Sequence, residues 1–283
     1  MCRLGFRIAL FVAVLRGGDA CGNTIALSAV ADSTLNQHSP NNNMGAHTRI
    51  LAGESGQPDA RRGLLRFDVA GNGAIPIPAG SLITSASLSL NVLSAPQVGS
   101  TFDLFRSLVA WNEGSGTGNL GSAANAGEST WNARLYASTN PTLWGAAGGL
   151  AGTDYASASS GATAVGTSAG TYSWTGSGLV ADVQSWLDSP ASNFGWFLIS
   201  EAESTAFTAA QIGSREAGAG QTPTLTIQFT PVPEPPTFAL LTGGLLGLFL
   251  LRRRYATVST ARGQVGHDCG GLHCPLSNLK SQI

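Results

Sequence analysis

The chain has 283 residues, of which 43% are hydrophobic, only 11% are charged and 37 are glycine. That composition argues against a coiled coil or helical bundle, which need long runs of solvated helix formers, and suits short strands joined by turns. From Gly22 to Pro231, thirteen carboxylates face seven arginines and no lysine, a net charge of −6 that offers no basic surface to a nucleic-acid backbone. The single lysine, Lys280, follows no phosphate-cradling glycine loop, so ATP or GTP chemistry is not expected.

In chain order, Arg3 and Arg7 precede the apolar run Ile8–Leu15, and small residues follow at Gly17, Gly18 and Ala20. Basic, apolar, then small is the order of a secretory signal, which assigns residues 1–21 to a signal peptide. Cys21 lacks the apolar residue that normally sits three positions upstream of a lipidated cysteine. Cys2, Cys21, Cys269 and Cys274 all lie outside residues 24–230, so that region cannot depend on an internal disulfide framework.

Period-two alternation marks the strands. Leu65, Phe67 and Val69 alternate with Leu64, Arg66 and Asp68. Ala86, Leu88, Leu90 and Val92 alternate with Ser85, Ser87, Ser89 and Asn91, and Leu225, Ile227 and Phe229 alternate with Thr224, Thr226 and Gln228. Phe102–Val109 and Phe194–Ser200 add further strands, the second apolar enough to be buried on both faces. Asn112–Gly170, rich in glycine, alanine and serine, reads as long loops around one or two strands. Leu179, Val180, Val183, Trp186 and Leu187 recur at helical spacing before Asp188-Ser189-Pro190, which predicts one short helix. Many strands without a βαβ rhythm predict an all-β domain over 24–230, a jelly-roll-like β-sandwich with that one helix.

Residues 231–236 read PVPEPP, Phe238–Leu251 runs apolar without a charge, and Arg252, Arg253 and Arg254 close the run. Fourteen helical residues rise about 21 Å against a hydrocarbon core of ~30 Å, so a single transmembrane helix over 238–251 needs its flanks to complete the span. The arginines keep that end cytoplasmic and leave the long preceding segment outside. Pro233-Glu234-Pro235, the glycine-containing apolar segment and the basic cluster together resemble the bacterial PEP-CTERM sorting signal, here residues 231–254. The resemblance implies membrane anchoring, processing by an exosortase near Pro-Glu-Pro, and delivery to the cell surface or extracellular matrix. That family ends just after its basic residues, whereas this chain continues from Tyr255 to Ile283, a tail expected to be unstructured. The tail carries His267, Asp268, Cys269, His273 and Cys274, zinc-ligating types in a spacing that fits no standard finger.

Between the terminal signals a second resemblance covers about residues 24 to 230. Asp32 with Pro40, Asn43 and Gly45, then Arg61, Arg62 and Leu64–Asp68, then Ile83, Ala86, Leu88 and Leu90 resemble the opening of the DNRLRE domain, a disaggregatase-related module. Trp111-Asn112-Glu113, Thr130-Trp131-Asn132, the Val180–Leu187 segment, Asn193–Trp196 and Ser214-Arg215-Glu216 continue the same order. The resemblance implies a fold like that of carbohydrate-binding modules and a prior on binding extracellular polysaccharide.

Candidate site residues follow from residue type. Trp186 and Trp196 sit in periodic core patterns. Trp111, Trp131 and Trp144 lie in the glycine-rich loops, where they either anchor the loops or stack on sugar rings. Asp32 with nearby loop carbonyls is a candidate ligand for a structural calcium ion, the one cofactor considered. Asp68, Glu113, Glu201, Glu203 and Glu216 are scattered, with arginine pairing as the simpler role for Asp68 and Glu216, and no catalytic residue is assigned. His38 and His47, in or beside the Asn-rich loop Asn36–Gly45, read as solvated loop residues rather than triad members. The expectation is an exported, non-enzymatic surface or matrix protein that binds or scaffolds polysaccharide. A secreted polysaccharide lyase or glycoside hydrolase and a purely structural coat protein are the alternatives.

Overall fold

The computed structural model describes residues 22–56, 59–71 and 77–231. The signal peptide, the sorting segment beyond Pro231, the 238–251 span and the 255–283 tail lie outside the described residues. The described elements are β1 (Asn23–Asn36), β2 (Asn42–Asn43), β3 (Arg49–Glu54), β4 (Ala60–Phe67), β5 (Leu82–Ser94), β6 (Ser100–Arg106), β7 (Ser122–Ala123), β8 (Ala133–Leu135), β9 (Thr142–Leu143), β10 (Gly161–Val165), β11 (Gly170–Thr175), α1 (Ser177–Asp188), a 3-10 turn at Pro190–Ser192, β12 (Trp196–Ser200), β13 (Ala210–Gly213) and β14 (Thr224–Thr230). The fold is all-β with one short helix, and among the described residues no helix is long and apolar enough to cross a membrane.

The expected jelly roll is corrected in one respect: the main sheet closes on itself. Pairing runs β1-β14-β5-β13-β3-β4 and returns from β4 to β1, a barrel-like ring from which β12, β6 and β10 extend beside β4, while β11 extends beside β5. The cause lies in β1. Its first half, Asn23–Ser28, pairs with β14, and from Ala29 to Asn36 it pairs with β4. The register slips between Ala29 and Ala31, leaving Val30 as the extra residue of a bulge, 47% exposed. A bulge bends and twists its strand, and here it turns β1 from one wall of the ring into the next.

The alternating strands bury the predicted faces. Leu65, Phe67, Leu88, Leu90, Leu225 and Ile227 fill the interior with Trp174 and Trp196, and α1 adds Leu179, Val183, Trp186 and Leu187 to the same core. Trp186 and Trp196 meet edge to face with centroids 4.4 Å apart, as their periodic positions predict. Asp182 on α1 is buried with them, accepting from Trp196 Nε1 at 2.8 Å. Gln184 ties the helix to the start of β5 by accepting from Ile83 N at 2.9 Å and donating to Ser81 O at 3.2 Å.

A second apolar layer lies on another face of the sheet. Ala31, Leu35, Leu64, Phe197 and Ile199 pack there against Trp111, Trp131, Trp144 and Tyr155 from the long segment between β6 and β10. This is why all five residues of β12 are buried, as expected, and why Leu64, the alternate of Leu65, is buried too.

Candidate functional site

The long β6–β10 segment has little regular structure, so specific side chains must satisfy its backbone. Asn43 on β2 does the most. Its Nδ2 donates to Glu113 O at 2.6 Å and Ser129 O at 2.9 Å, while its Oδ1 accepts from Gly45 N at 2.9 Å and Gly116 N at 2.8 Å. All four capacities of one buried amide are thereby used. Arg62 fixes the distal part. Its Nε and Nη2 hold Glu203 at 2.8 and 2.7 Å, and its Nη1 donates to Gly148 O and Gly149 O at 2.9 and 3.0 Å. Its guanidinium also lies 5.5 Å from the Trp131 ring centroid.

The three loop tryptophans take the anchoring role. Trp111, Trp131 and Trp144 are 0%, 7% and 5% exposed, so none presents a ring face to a sugar. Trp111 Nε1 donates to Phe194 O at 2.7 Å, and Trp144 Nε1 to Thr130 O at 2.8 Å. Of the two roles open to them, anchoring or stacking on sugar, burial favours anchoring: all three rings pack against apolar β-sheet surface beneath the loops.

Beside Trp144 the loops leave a concavity of about 490 Å³ lined by Asn41, Asn132, Tyr136, Pro141, Leu143 and Ala146, among others, with no charged side chain. Leu143, on β9, is 59% exposed. Asn132 Nδ2 donates to Asn41 Oδ1 at 2.9 Å. Asparagine amides and a tyrosine stand there beside apolar surface. Asn132 belonged to a sequence motif. Nothing in the sequence connected it to Asn41, Tyr136 and Leu143.

A second cluster joins residues that are far apart in the chain. One carboxylate oxygen each of Asp32, Glu113 and Glu216 lies within 4.8 Å of the others. Asp32 N donates to Glu113 Oε1 at 2.7 Å, and Asp32 Oδ2 accepts from Arg215 N at 2.7 Å. Arg215 bonds Glu113 through Nε and Nη2, the latter at 2.8 Å, and its Nε lies 2.9 Å from Glu216 Oε1. Burial pushes the Asp32 carboxyl up to about 8; the neighbouring charges of Glu216 and Glu113 add to the rise, while the Arg215 N–H and its charge oppose it. Arg215 is held above its ordinary value, chiefly by its hydrogen bonds to Glu113.

Calcium seeks six to eight oxygens, preferably ionised. Here three carboxylates converge, and backbone N–H groups and the Arg215 guanidinium engage them, an arginine-capped cluster. Glu216 pairs with Arg215, as expected. Among the other sequence candidates, Glu203 pairs with Arg62 and Glu201 is exposed. Asp68 accepts from Gly71 N at 3.1 Å. His38 Nδ1 sits 3.0 Å from Asp59 Oδ2, and His47 is half-buried, with burial and then Arg49 lowering its pKa.

Residues 231–254 match the PEP-CTERM protein-sorting motif. No curated protein matches the chain. The motif takes in Pro233, Glu234, Pro235 and Arg252–Arg254, and it marks the chain as an exported, membrane-associated protein that an exosortase processes and sorts to the cell surface.

Proposed function

We propose that the β-domain is a non-enzymatic polysaccharide-binding module on a sorted surface protein, and that the concavity beside Trp144 holds a neutral sugar unit. The uncharged lining carries this reading: asparagine amides and a tyrosine beside Leu143 and Pro141. The resemblance of residues 24–230 to the DNRLRE domain supports the same ligand class. A hydrolase is disfavoured by the placement of the one described acid with a raised pKa, because Asp32 is 1% exposed and cannot reach a glycosidic oxygen. The test is retention of the full-length chain on immobilised neutral glucan and on alginate, comparing wild type with Tyr136→Ala and Leu143→Asn. Retention on glucan that both substitutions weaken supports the proposal. Unchanged retention in both variants, or none by wild type, refutes it.

A further inference from the structure

Phe207 is the described residue whose backbone is hardest to explain by folding alone. Only two non-glycine described residues have a positive φ, Asn140 at 54° and Phe207 at 67°. Asparagine visits that region readily; a bulky aromatic does not. A glycine would adopt the same φ without strain.

The surroundings hold the strained residue in place. Phe207 N donates to Ser55 O at 3.2 Å, and Phe207 O accepts from both Gln97 N and Val98 N at 3.0 Å. The next residue, Thr208, is buried and donates through Oγ1 to Ala202 O and Thr205 O at 3.1 and 2.9 Å. Strain of this kind persists only where neighbours over-determine it, and it marks functional positions. The ring contributes little to a core, since Phe207 is 49% exposed. It rests against Gly56, where an added Cβ would meet Phe207 Cε1 at 2.8 Å. The side chain is thus a supported ring displayed to solvent.

Size and charge identify its occupant. Val98, 45% exposed, is tied to Phe207 through the backbone, and together the two present at most about 200 Å² of apolar surface. A stable protein interface needs roughly 800 Å² from each partner, so a second copy of the chain does not fit, whereas one flat pyranose ring does. The rim carries the exposed polar side chains Gln97, Ser204 and Thr205. The nearby Glu201 is exposed, whereas Glu203 is neutralised by Arg62, so an anionic sugar would be repelled. The spot follows the Ser94 end of β5, and the opposite end of that strand pairs Leu82 with Thr230, where the described domain ends.

We infer that Phe207 is a stacking platform for a single ring of a neutral polysaccharide, a contact separate from the concavity beside Trp144. The inference rests on the polysaccharide reading and adds a residue to it. The full-length wild type, Phe207→Gly and Phe207→Tyr are compared for retention on neutral glucan, for Tm and for mass by light scattering. The expected result is about tenfold weaker retention by Phe207→Gly, near-wild-type retention by Phe207→Tyr, a Phe207→Gly Tm no lower than wild type, and unchanged mass. Equal retention by wild type and Phe207→Gly, while Tyr136→Ala weakens it, overturns the platform and leaves the broader reading standing. No retention by wild type overturns both. A lower Tm or altered mass for Phe207→Gly makes the ring a packing or assembly group and also overturns the platform.

Discussion

Replacing Asp32 with asparagine removes one ionisable group while keeping its shape and its oxygen acceptor for Arg215 N. The folded-state pKa rises from 3.8 to about 8, so across that interval the fold holds a proton that the unfolded chain has released. Stability contributed by this group is therefore complete below the unfolded value and is lost as pH rises toward 8, by up to about 1.4 kcal/mol per pH unit. Two other groups act in the opposite sense at lower pH. Burial and Arg49 lower His47, so its contribution is lost as pH falls below 6.5. Hydrogen bonds from Asn125 and Ser115 outweigh burial at Glu128 and lower its pKa, so its contribution is lost below 4.5. Among the described groups with a shifted pKa, the window from pH 6.5 to 8 isolates Asp32. There the wild type should lose about 1–2 kcal/mol, a fall on the order of half a molar in urea midpoint, while Asp32→Asn stays flat and becomes the more stable protein at pH 8. Urea titrations at four pH values in EDTA measure this. A wild-type curve that rises across the window, with Asp32→Asn less stable throughout, would mean that Asp32 is ionised and would refute the arginine-capped description.

The same description predicts that millimolar calcium leaves the wild-type Tm unchanged relative to EDTA, whereas Arg215→Met, which strips the cation from Glu113 and Glu216, loses stability and then gains Tm on calcium addition. Trp111→Ala should cost about 3–5 kcal/mol by leaving a cavity under the long loop, and a urea midpoint near wild type would contradict its anchoring role. Asn43→Ala should cost about 3 kcal/mol or more, because two carbonyls and two N–H groups lose their partner, and amide exchange around Gly45 and Gly116 should accelerate. Gly195→Ala should cost more than about 2 kcal/mol in the same urea assay, since φ is +76° and the new Cβ would lie 2.0 Å from Leu65 O.

The legible parts of this fold are the parts with one simple cause. β5 and β14 bury one face each, so alternation marked them, and Leu179–Leu187 has helical spacing because α1 buries a single stripe. β1 was hidden because its Ala31–Asn36 half is buried at every position, including Asp32, Ser33, Thr34 and Asn36, so apolar and polar residues share both faces. Barrel closure was hidden with it, since closure depends on the bulge at Val30 and on partners remote in the chain. The loop tryptophans show a limit of another kind. Glycine-rich surroundings suggested exposure, but Leu64, Phe197 and Ile199 supply an apolar surface that the loops must cover. Asp32, Glu113, Arg215 and Glu216 all stood in quoted motifs, yet only folding brings residues more than a hundred positions apart into one cluster. Phe207 gave no signal, because its φ is set by the fold and cannot be read from the residue type.

The most direct test of the surface polysaccharide-binding account is mass spectrometry of the chain recovered from the extracellular polysaccharide of cells that produce it. The account predicts a mature chain held in that fraction and ending near Pro233. A chain that retains Arg252–Arg254 and is found only in the membrane fraction, with none held by polysaccharide, would contradict it.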